Sequence, residues 1–447
     1  MNRFFLRLLL LFYDLLFVLL SPLILLYLLS RKDSRKRLTE YLGLPSVKAR
    51  KSAAKGCLLV HAVSVGEVLS VVPIVEKLKE EMDLPVILST TIDDAETISK
   101  KVPGVFTATT FMSLDFSPFV RFFLKNLKPH AVIISETDLW PNFLSLCKDQ
   151  LIPLYLTNGR LSHKISRGAF SLGGLASEIF LSFQHLFVQR DQDSHNLMAT
   201  GLPKGRISVA GNTKYESAAK ILAASEETAR VIKSLPELDR PILVGGSTHP
   251  GEEKLLLELF ITMRRTPPLL VIAPRIIGRA DEIIALCDEQ KLFSKKWTAL
   301  KDVEDLSTAM AELDVLVVDV LGELVHLYEC ADVVFMGGTF GKVGGHNFLE
   351  ACTYSKAIIV GPDVRNFSQD LELFLKKNAL VLVNEKETFL REVRLLLEDK
   401  EAATDMGRRA RAILDDNQGA ASNIAKHIID DLRALAPRTI GGKVGTG

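Results

Sequence analysis

Short apolar runs alternate with amphipathic stretches along most of the chain. In the first half the runs are CLLVHAV, LPVILST, AVIISE and IPLYLTN, and the series reaches ISVAGN near Asn212. In the second half they are PILVGGS, LLVIAP, VLVVDV, DVVFMGG, KAIIVGP and ALVLVN. Continuous apolar runs of this length are typical of parallel strands buried on both faces, and each run is followed by a helix-length segment. The pattern therefore predicts two consecutive βα arrays, that is, two doubly wound α/β domains.

The segments between and around the arrays complete the predicted organisation. An Ala- and Glu-rich segment separates the two arrays, and a pair of helices follows the second. We expect an apolar N-terminal segment (1–30) and a basic linker (31–55), followed by a first Rossmann-like domain (56–215). An interdomain linker (216–240) then leads to a second Rossmann-like domain (241–400). C-terminal helices (401–440) and a disordered Gly-rich tail (441–447) complete the chain.

The first thirty residues are far more apolar than the rest of the chain. The stretch from Leu6 to Leu29 is almost wholly apolar, and the basic run RKDSRKR follows it. A cleaved signal peptide is disfavoured because the run is long and no small-residue cleavage site follows. A buried core helix is disfavoured at an extreme terminus. The stretch therefore predicts a membrane anchor, with Asp14 and Pro22 leaving both a spanning and a shallow interfacial helix open. The basic run favours a globular body on the cytoplasmic side.

Composition narrows the class of protein. The chain has 447 residues, 47% of them hydrophobic, and a net charge of +1, so it can form full cores and has no overall field for nucleic acid. The five cysteines are scattered and never form a CxxC motif, which argues against a disulfide framework and a cysteine zinc site.

Charged groups follow several of the predicted strands. Ligands bind at the carboxyl ends of strands in such folds. The residues that stand out there are Glu67 in SVGEV, Glu136 in SETDLWPN, Ser247 to His249 in GGSTHPGEE, Pro274 and Arg275 in APR, Gly322 to Leu324 in GEL, and the loop GGTFGKVGGHNFLE. The amides near His249 are candidates to hold an anion, and the opening glycines of the loop could let backbone approach a ligand. Each glutamate could equally cap a helix.

The remaining motifs give little indication of function. The DQD at Asp191 to Asp193 resembles a sugar-nucleotide metal motif, but it is expected to open a helix. Walker A, HExxH, GxSxG and GxGxxG patterns are absent from the sequence. No carboxylate or His pair has metal-ligand spacing, so the sequence predicts no metal and no cofactor.

The motifs HAVSVGEV, SETDLWPN, NGRLS, GNTKYE, GSTHPGEE, APR, GELVHLYECAD and GGTFGKVGGHNFLEA occur in this order. Together they closely resemble the Kdo transferases, which attach 3-deoxy-D-manno-oct-2-ulosonic acid (Kdo) to the lipid A precursor of lipopolysaccharide. The resemblance extends from the anchor to about Lys426. It implies a GT-B fold with two Rossmann-like domains facing a cleft, the donor CMP-Kdo, and no required metal. It also implies that the first domain receives the lipid acceptor and the second holds CMP.

The resemblance also implies roles for residues. Glu67 is implied as general base, and Glu136 and Lys214 as groups supporting the transition state. From its position in the sequence, the start of a helix would favour the ionised form of Glu67. The implied CMP contacts are Pro274, Arg275, Gly322, Glu323, Leu324, Asn347, Phe348, Leu349 and Glu350. Two departures from the family pattern, STTIDDAET and NGRLS, lie in the acceptor half.

The expected function is an inverting transfer of one or more Kdo residues to lipid IVA at the inner membrane. Two alternatives stay open at this point. One is another GT-B nucleotide-sugar enzyme, such as a sialyl-type transferase or an epimerase. The other is a non-catalytic nucleotide-binding protein tethered to the membrane.

Overall fold

The chain folds as two compact units, Met1–Ser217 with Asn417–Gly447 and Ala218–Asp416. The structure, a computed structural model, describes residues 3–100, 102–136, 139–160, 175–219, 226–235, 238–263, 267–301 and 303–440.

The first unit is built on a seven-stranded parallel sheet. Its strands are β1 (Cys57–His61), β2 (Val86–Thr90), β3 (Ala108–Phe111), β4 (Pro129–Ser135), β5 (Leu154–Gly159), β6 (His185–Val188) and β7 (Ile207–Val209). They lie in the order β3-β2-β1-β4-β5-β6-β7, with every neighbouring pair parallel.

The helices of the first unit precede the first strand or follow the strands along the chain. Their bounds are α1 (Arg3–Ser30), α2 (Lys32–Lys36), α3 (Leu38–Tyr41), α4 (Val47–Ser52), α5 (Val65–Glu81), α6 (Asp93–Lys100), α7 (Ser117–Leu127), α8 (Pro141–Asp149), α9 (Leu175–Phe180), α10 (Asp191–Met198) and α11 (Lys214–Ala219), whose last two residues belong to the second unit.

The second unit carries its own seven-stranded parallel sheet. Its strands are β8 (Ile242–Thr248), β9 (Leu269–Pro274), β10 (Ser294–Lys296), β11 (Val315–Val317), β12 (Val333–Met336), β13 (Ala357–Val360) and β14 (Val381–Leu382). They lie in the order β10-β11-β9-β8-β12-β13-β14.

The helices of the second unit are mostly short. They are α12 (Glu226–Ser234), α13 (Glu252–Leu257), α14 (Leu259–Thr262), α15 (Ala280–Glu289), α16 (Leu306–Glu312), α17 (Leu324–Leu327), α18 (Leu349–Cys352), α19 (Ser368–Lys376), α20 (Lys386–Glu398) and α21 (Lys400–Asp416). The final helix of the chain, α22 (Ala420–Ile440), packs on α5 in the first unit.

Both sheets have the strand order of a doubly wound α/β fold, and this confirms the predicted fold class. The central strands are buried on both faces, as β1 and β9 illustrate, because helices cover each face of a parallel sheet. Their side chains contribute to a hydrophobic core cluster in each unit. The facing of the two domains across a cleft stays a prediction.

All the apolar runs identified in the sequence form strands, but three strands were not predicted. Strand β3 reads ATTF and β10 reads SKK, and both lie at a sheet edge. Strand β6 is a four-residue run that contains His185. Edge strands are covered on fewer sides, so they tolerate polar residues and lose the apolar signal.

The segment 31–55, predicted to be a basic linker, contains helices α2, α3 and α4. Buried Glu40 ties it to the sheet, because its carboxylate accepts hydrogen bonds from the Thr110 hydroxyl at 2.8 Å and the Phe111 amide at 2.7 Å. Arg37 donates to Glu40 and Glu96. A charge-rich segment can therefore pack as part of the domain when its charges are paired.

Candidate active site

Each sheet has one point where the strand order reverses, and such points form the ligand-binding crevice of open α/β sheets. In the first unit the reversal lies between β1 and β4, and Glu67 and Glu136 follow these two strands. In the second unit it lies between β8 and β12, which are followed by His249 and by the Gly-rich loop from Gly337. The topology therefore gathers the charged and Gly-rich motifs at the switch point of each unit.

Glu67 lies in the first turn of α5 and is buried, with 8% of its surface exposed. Its carboxylate accepts hydrogen bonds from the Val63 amide at 2.9 Å and the Ser64 hydroxyl at 3.0 Å, and the Ser64 hydroxyl accepts from the Glu67 amide. This is a variant of the capping box. The N-cap Ser64 accepts from the Glu67 amide, and the Glu67 carboxylate bonds back to the Ser64 hydroxyl and to the amide of Val63, the residue before the N-cap. The capping interpretation of Glu67 is therefore correct, and it fixes the carboxylate in one orientation.

The pKa of Glu67 is raised above its ordinary value. Burial is the main cause, and the nearby charge of Glu136 adds to it, while the bonds from Val63 and Ser64 and the proximity of His61 act in the opposite direction. The sequence predicted that the helix start would favour the ionised form. That expectation is corrected, because desolvation outweighs the hydrogen bonds at the helix start. A carboxylate with a raised pKa is a stronger base than one in water.

Glu136 and Lys214 form an ion pair, in which the Lys214 ammonium contacts a carboxylate oxygen of Glu136. Glu136 follows β4 with a φ of +57°, and its amide donates to the Thr157 carbonyl at 2.8 Å. A positive φ at a glutamate is uncommon and occurs where surrounding structure imposes it. The structure thus brings together two of the three residues implied as catalytic, and Glu67 lies near enough to sense the Glu136 charge.

Two residues that the sequence did not single out as functional hold this arrangement. Buried Asn158 follows the same pattern as Glu136, with a φ of +54° at the end of β5. Its side chain exchanges two hydrogen bonds with Thr213, at 2.7 Å and 3.0 Å. The Thr213 hydroxyl also donates to the Ser70 carbonyl on α5 at 2.7 Å. Thr213 precedes Lys214, so this bridge fixes the lysine segment to α5 and β5.

A single buried carboxylate organises the Gly-rich loop of the second unit. Glu252, at the start of α13, accepts hydrogen bonds from four backbone amides at 2.8–2.9 Å. The donors are His249, Gly338, Thr339 and Phe340. The anion expected at the His249 amide is therefore this side chain, and these four amides are not open to a phosphate. Glu252 is the first residue of α13, and no local pattern in the sequence indicates its partners 86 to 88 residues away.

The opening glycines of the loop serve packing within the chain. A Cβ at Gly337 would lie 2.5 Å from the Ser247 carbonyl oxygen, and Gly338 has a φ of +72°. The missing side chain of Gly337 thus allows the loop backbone to pack closely against the β8 turn. The sequence led us to expect that it would instead allow a close approach to a ligand.

His249 and His346 link the β8 turn to the same loop. Their rings stack with centroids 5.1 Å apart, and their Nε2 atoms are 2.8 Å apart, so one ring donates to the other. The pKa of His346 is lowered to about 4, first by burial and then by the charges of His249 and Arg275. At neutral pH His346 is therefore uncharged, and the pair shares one hydrogen bond without repulsion.

The motifs implied to contact CMP follow neighbouring strands of the second sheet. Pro274 ends β9, and the Arg275 amide donates to the Thr248 carbonyl at 3.0 Å. The Arg275 side chain is exposed and makes no hydrogen bond or ion pair with the residues that the structure describes. The Thr248 hydroxyl is buried and lacks a hydrogen-bond partner among them. An exposed guanidinium without a partner is a suitable donor group for an anionic ligand.

Gly322, Glu323 and Leu324 follow β11, the neighbour of β9. Gly322 turns the chain with a φ of +91°, and the Glu323 carbonyl accepts from the His326 amide at 3.1 Å as α17 begins. The strand order β11-β9-β8-β12 thus places GEL, APR, the β8 turn and the Gly-rich loop in a row along one edge of the sheet.

The NFLE motif divides into two polar and two core residues. The Asn347 amide donates to the Glu350 carboxylate at 3.2 Å, and burial raises the pKa of Glu350 more than this bond lowers it. Phe348 and Leu349 are buried, and Phe348 packs on Phe367 and Phe374. Only Asn347 and Glu350 therefore offer polar side-chain groups to a nucleotide, whereas Phe348 and Leu349 position them.

Asp191 and Asp193 lie in the first turn of α10, as expected for a helix start. Within the described ranges, no three His, Cys, Asp or Glu side chains are grouped so that they could hold a metal ion. The absence of a required metal stays a prediction.

Residues 36–217 match the family model described as "3-Deoxy-D-manno-octulosonic-acid transferase (kdotransferase)". The chain is 30% identical over 446 residues to 3-deoxy-D-manno-octulosonic acid transferase of Haemophilus influenzae, with 96% of this chain and 99% of that protein aligned. It is 28% identical over 372 residues to the enzyme of the same name from Bordetella pertussis, covering 81% of this chain and 84% of that protein. Among solved structures, UDP-GlcNAc 2-epimerase from Neisseria meningitidis matches with a TM-score of 0.54 at 14% identity, over 84% of this chain and 99% of that one.

The two doubly wound units and the fold neighbours define a GT-B type protein. Within that class, the alignment with the Haemophilus influenzae enzyme over nearly the whole chain decides the family. The chain belongs to the Kdo transferases, glycosyltransferases of lipopolysaccharide biosynthesis, and the resemblance found in the sequence is confirmed.

Proposed function

We propose that the protein transfers Kdo from CMP-Kdo to lipid IVA, the lipid A precursor, by direct displacement with inversion at the ketosidic carbon. The observation that carries this proposal is the charged cluster at the first switch point, where buried Glu67 lies near the Glu136–Lys214 pair. A protein that only binds nucleotide does not need two carboxylates there.

Glu67 acts as the general base in this proposal. Its carboxylate takes the proton of the acceptor hydroxyl as the new carbon–oxygen bond forms, and the bond from Kdo to the phosphate oxygen of CMP breaks with its electron pair leaving on CMP. Burial raises the pKa of Glu67 and the capping box fixes its orientation, and both properties suit a base. Lys214 offers positive charge to the developing negative charge, and Glu136 positions Lys214.

The second unit binds the donor. Arg275 is placed to bind the CMP phosphate through its fork of donors. Asn347 and Glu350 are placed for hydroxyl groups of the ribose, and Gly322 to Leu324 line the same edge. No cofactor takes part, since CMP-Kdo supplies both the sugar and the leaving group.

The reaction takes place at the cytoplasmic face of the inner membrane. Helix α1 is the one helix among the described residues that is long and apolar enough to cross a bilayer, and it lies near the N-terminus. The basic residues that follow it support a cytoplasmic body.

Incubation of the purified protein with CMP-Kdo and lipid IVA, followed by mass spectrometry of the lipid, tests the proposal. We expect a mass gain of one Kdo unit or a multiple, which also gives the number of residues transferred.

Full activity in EDTA is expected. A loss of tenfold or more that magnesium restores would overturn the metal-free mechanism.

The related epimerase fold makes nucleotide choice a second test. CMP should raise the melting temperature and UDP should not. Stronger stabilisation by UDP, with no product on lipid IVA, would favour an epimerase-like enzyme. CMP binding without any product would instead identify a tethered nucleotide-binding protein.

A further inference from the structure

Helix α1 is covered along one narrow stripe from near its start to near its end. The buried or half-buried residues include Leu6, Leu10, Asp14, Phe17, Ser21, Ile24 and Leu28, which recur every three or four positions, whereas most residues between them are exposed. Because such spacing places side chains on one face of a helix, the stripe runs over about 33 Å at 1.5 Å per residue. The helix therefore lies along the protein instead of projecting from it.

Asp14 anchors the middle of this stripe to the first unit. Its carboxylate accepts hydrogen bonds from the Ser117 amide, at the start of α7, at 3.2 Å and from the Asn142 side chain at 2.8 Å. A carboxylate is favourable at a helix N-terminus. Three residues along α1, Phe17 stacks on Phe116 with centroids 4.8 Å apart and meets Phe119 edge-on. The one acidic residue of the apolar run is thus a docking group.

The opposite side of α1 exposes large apolar side chains. Leu11, Phe12, Leu15, Leu19, Leu23 and Leu26 are each between 64% and 74% exposed. A patch of this size is unusual on a soluble monomer and marks an interaction surface. Exposed Arg31, Lys32 and Arg35 adjoin it. Basic charge beside an apolar helix face matches an anionic lipid surface, whereas two copies of the chain would bring like charges together.

We propose that α1 is an in-plane, interfacial anchor. The Asp14 stripe stays bound to the first unit while the leucine face enters one leaflet. A helix spanning the bilayer would have to leave Ser117 and Asn142, because these partners belong to the globular unit, which cannot lie within hydrocarbon. Asp14 would then lose its donors and enter the bilayer. The inference rests on the proposed function only in taking the membrane as the site of action.

Cysteine labelling separates the two anchoring modes without measuring activity. The full chain is reconstituted into sealed vesicles of phosphatidylethanolamine and phosphatidylglycerol, in a background carrying Cys330→Ser to remove the one native thiol that is not buried. Single variants Arg3→Cys and Lys32→Cys then receive a membrane-impermeant maleimide. Exposed Leu395→Cys reports the fraction of bodies facing outward. We expect Arg3→Cys and Lys32→Cys to label to the same extent as Leu395→Cys before lysis. Labelling of Arg3→Cys only after detergent lysis would overturn the proposal.

Two further variants test the docking group and the lipid-facing side. Asp14→Leu removes the polar tie, and we expect it to make Arg3→Cys at least partly inaccessible before lysis, while Asp14→Asn, which keeps an acceptor, leaves it labelled. Leu19→Glu should weaken vesicle binding tenfold or more, and the matched control Leu395→Glu should not. If Leu19→Glu leaves vesicle binding unchanged but breaks a dimer in sedimentation, the leucine face is an interface between copies and the proposal fails.

Discussion

At the edge of the first sheet, charged side chains from three separate segments meet, whereas at the edge of the second sheet backbone amides meet one buried carboxylate. Glu67, Glu136 and Lys214 come from the ends of β1, β4 and the segment after β7. In the second unit, Glu252 ties the β8 turn to the loop after β12. Both edges are switch points of the same kind of sheet. The first presents charged side chains, whereas the second presents a loop whose backbone is held in place by Glu252.

The difference follows from the two tasks. Proton transfer needs a group of fixed orientation and adjusted pKa, and burial beside Glu136 raises the pKa of Glu67. Nucleotide binding needs a rigid frame that leaves a few polar groups pointing outward. The exposed Arg275 is such a group. Changes in the first unit should therefore alter turnover, and changes in the second should alter CMP affinity.

Glu67→Gln should produce the largest effect. Glutamine keeps an acceptor for Val63 or Ser64, so the capping box and fold should survive, but it cannot take a proton. We expect turnover to fall by roughly 10²–10⁴-fold with CMP affinity unchanged, measured by product formation and calorimetry. Glu80→Gln, an exposed carboxylate on the same helix, is the control.

The comparison of Glu67 with Glu136 sharpens the assignment. Near-normal turnover in Glu67→Gln together with loss of activity in Glu136→Gln would transfer the role of base to Glu136.

The pH profile gives a second readout, because a base must be deprotonated. With a raised pKa at Glu67, turnover of the native protein should fall on acidification at a pH above the ordinary carboxyl range.

Glu252→Gln should weaken CMP binding about 100-fold. Hydrogen bonds to a charged group contribute about 1.5–3 kcal/mol each, and the glutamine NH₂ would face amide donors. The loop should loosen, which hydrogen exchange at the Thr339 and Phe340 amides would report as faster exchange. The exposed Glu312→Gln serves as control. Unchanged CMP affinity with faster exchange would show that the loop does not contribute to nucleotide binding.

Arg275→Ala should weaken CMP binding by roughly tenfold, which corresponds to about 1.4 kcal/mol. The side chain is exposed and makes no bonds with other described residues, so the melting temperature of the free protein should not change. Arg275→Lys should restore part of the affinity, since it keeps the charge and loses the fork. Lys254→Ala, at another exposed cation of the unit, should bind CMP normally. A Kd for Arg275→Ala within twofold of the native value would remove Arg275 from the CMP site.

Sequence patterns predicted the central strands and the positions of the candidate residues, because strands buried on both faces are apolar runs and their ends are visible in the sequence. The polar edge strands β3 and β10 gave no such signal. Helix capping by Glu67 was among the alternatives that the sequence left open, because its partners are only three and four residues away.

The long-range partners could not be predicted from the single sequence. Lys214 meets Glu136 across 78 positions, and Asp14 meets Asn142 across 128. Local patterns carry no information on such pairs, because only the folded topology brings them together. The pKa of Glu67 was misjudged for the same reason. The helix start is local and visible, whereas the burial that outweighs it depends on the whole unit.

The last prediction concerns the pH dependence of stability at His346, an effect on folding and not on activity. The pKa of His346 is about 4 in the folded protein, because of burial and the charges of His249 and Arg275, and about 6.5 when unfolded. The unfolded chain therefore binds more protons between these values, so stability should be complete above pH 6.5 and fall as the pH decreases toward 4. We expect a loss of about 1–3 kcal/mol from this group, measured by urea unfolding at several pH values. His346→Asn should flatten the profile by that amount, while the buried His185, whose pKa is also lowered to about 4, contributes equally to both proteins. An identical slope in the variant would mean that His346 is protonated at the same pH in the folded and unfolded chain, and that its pairing with His249 does not constrain the β8 turn.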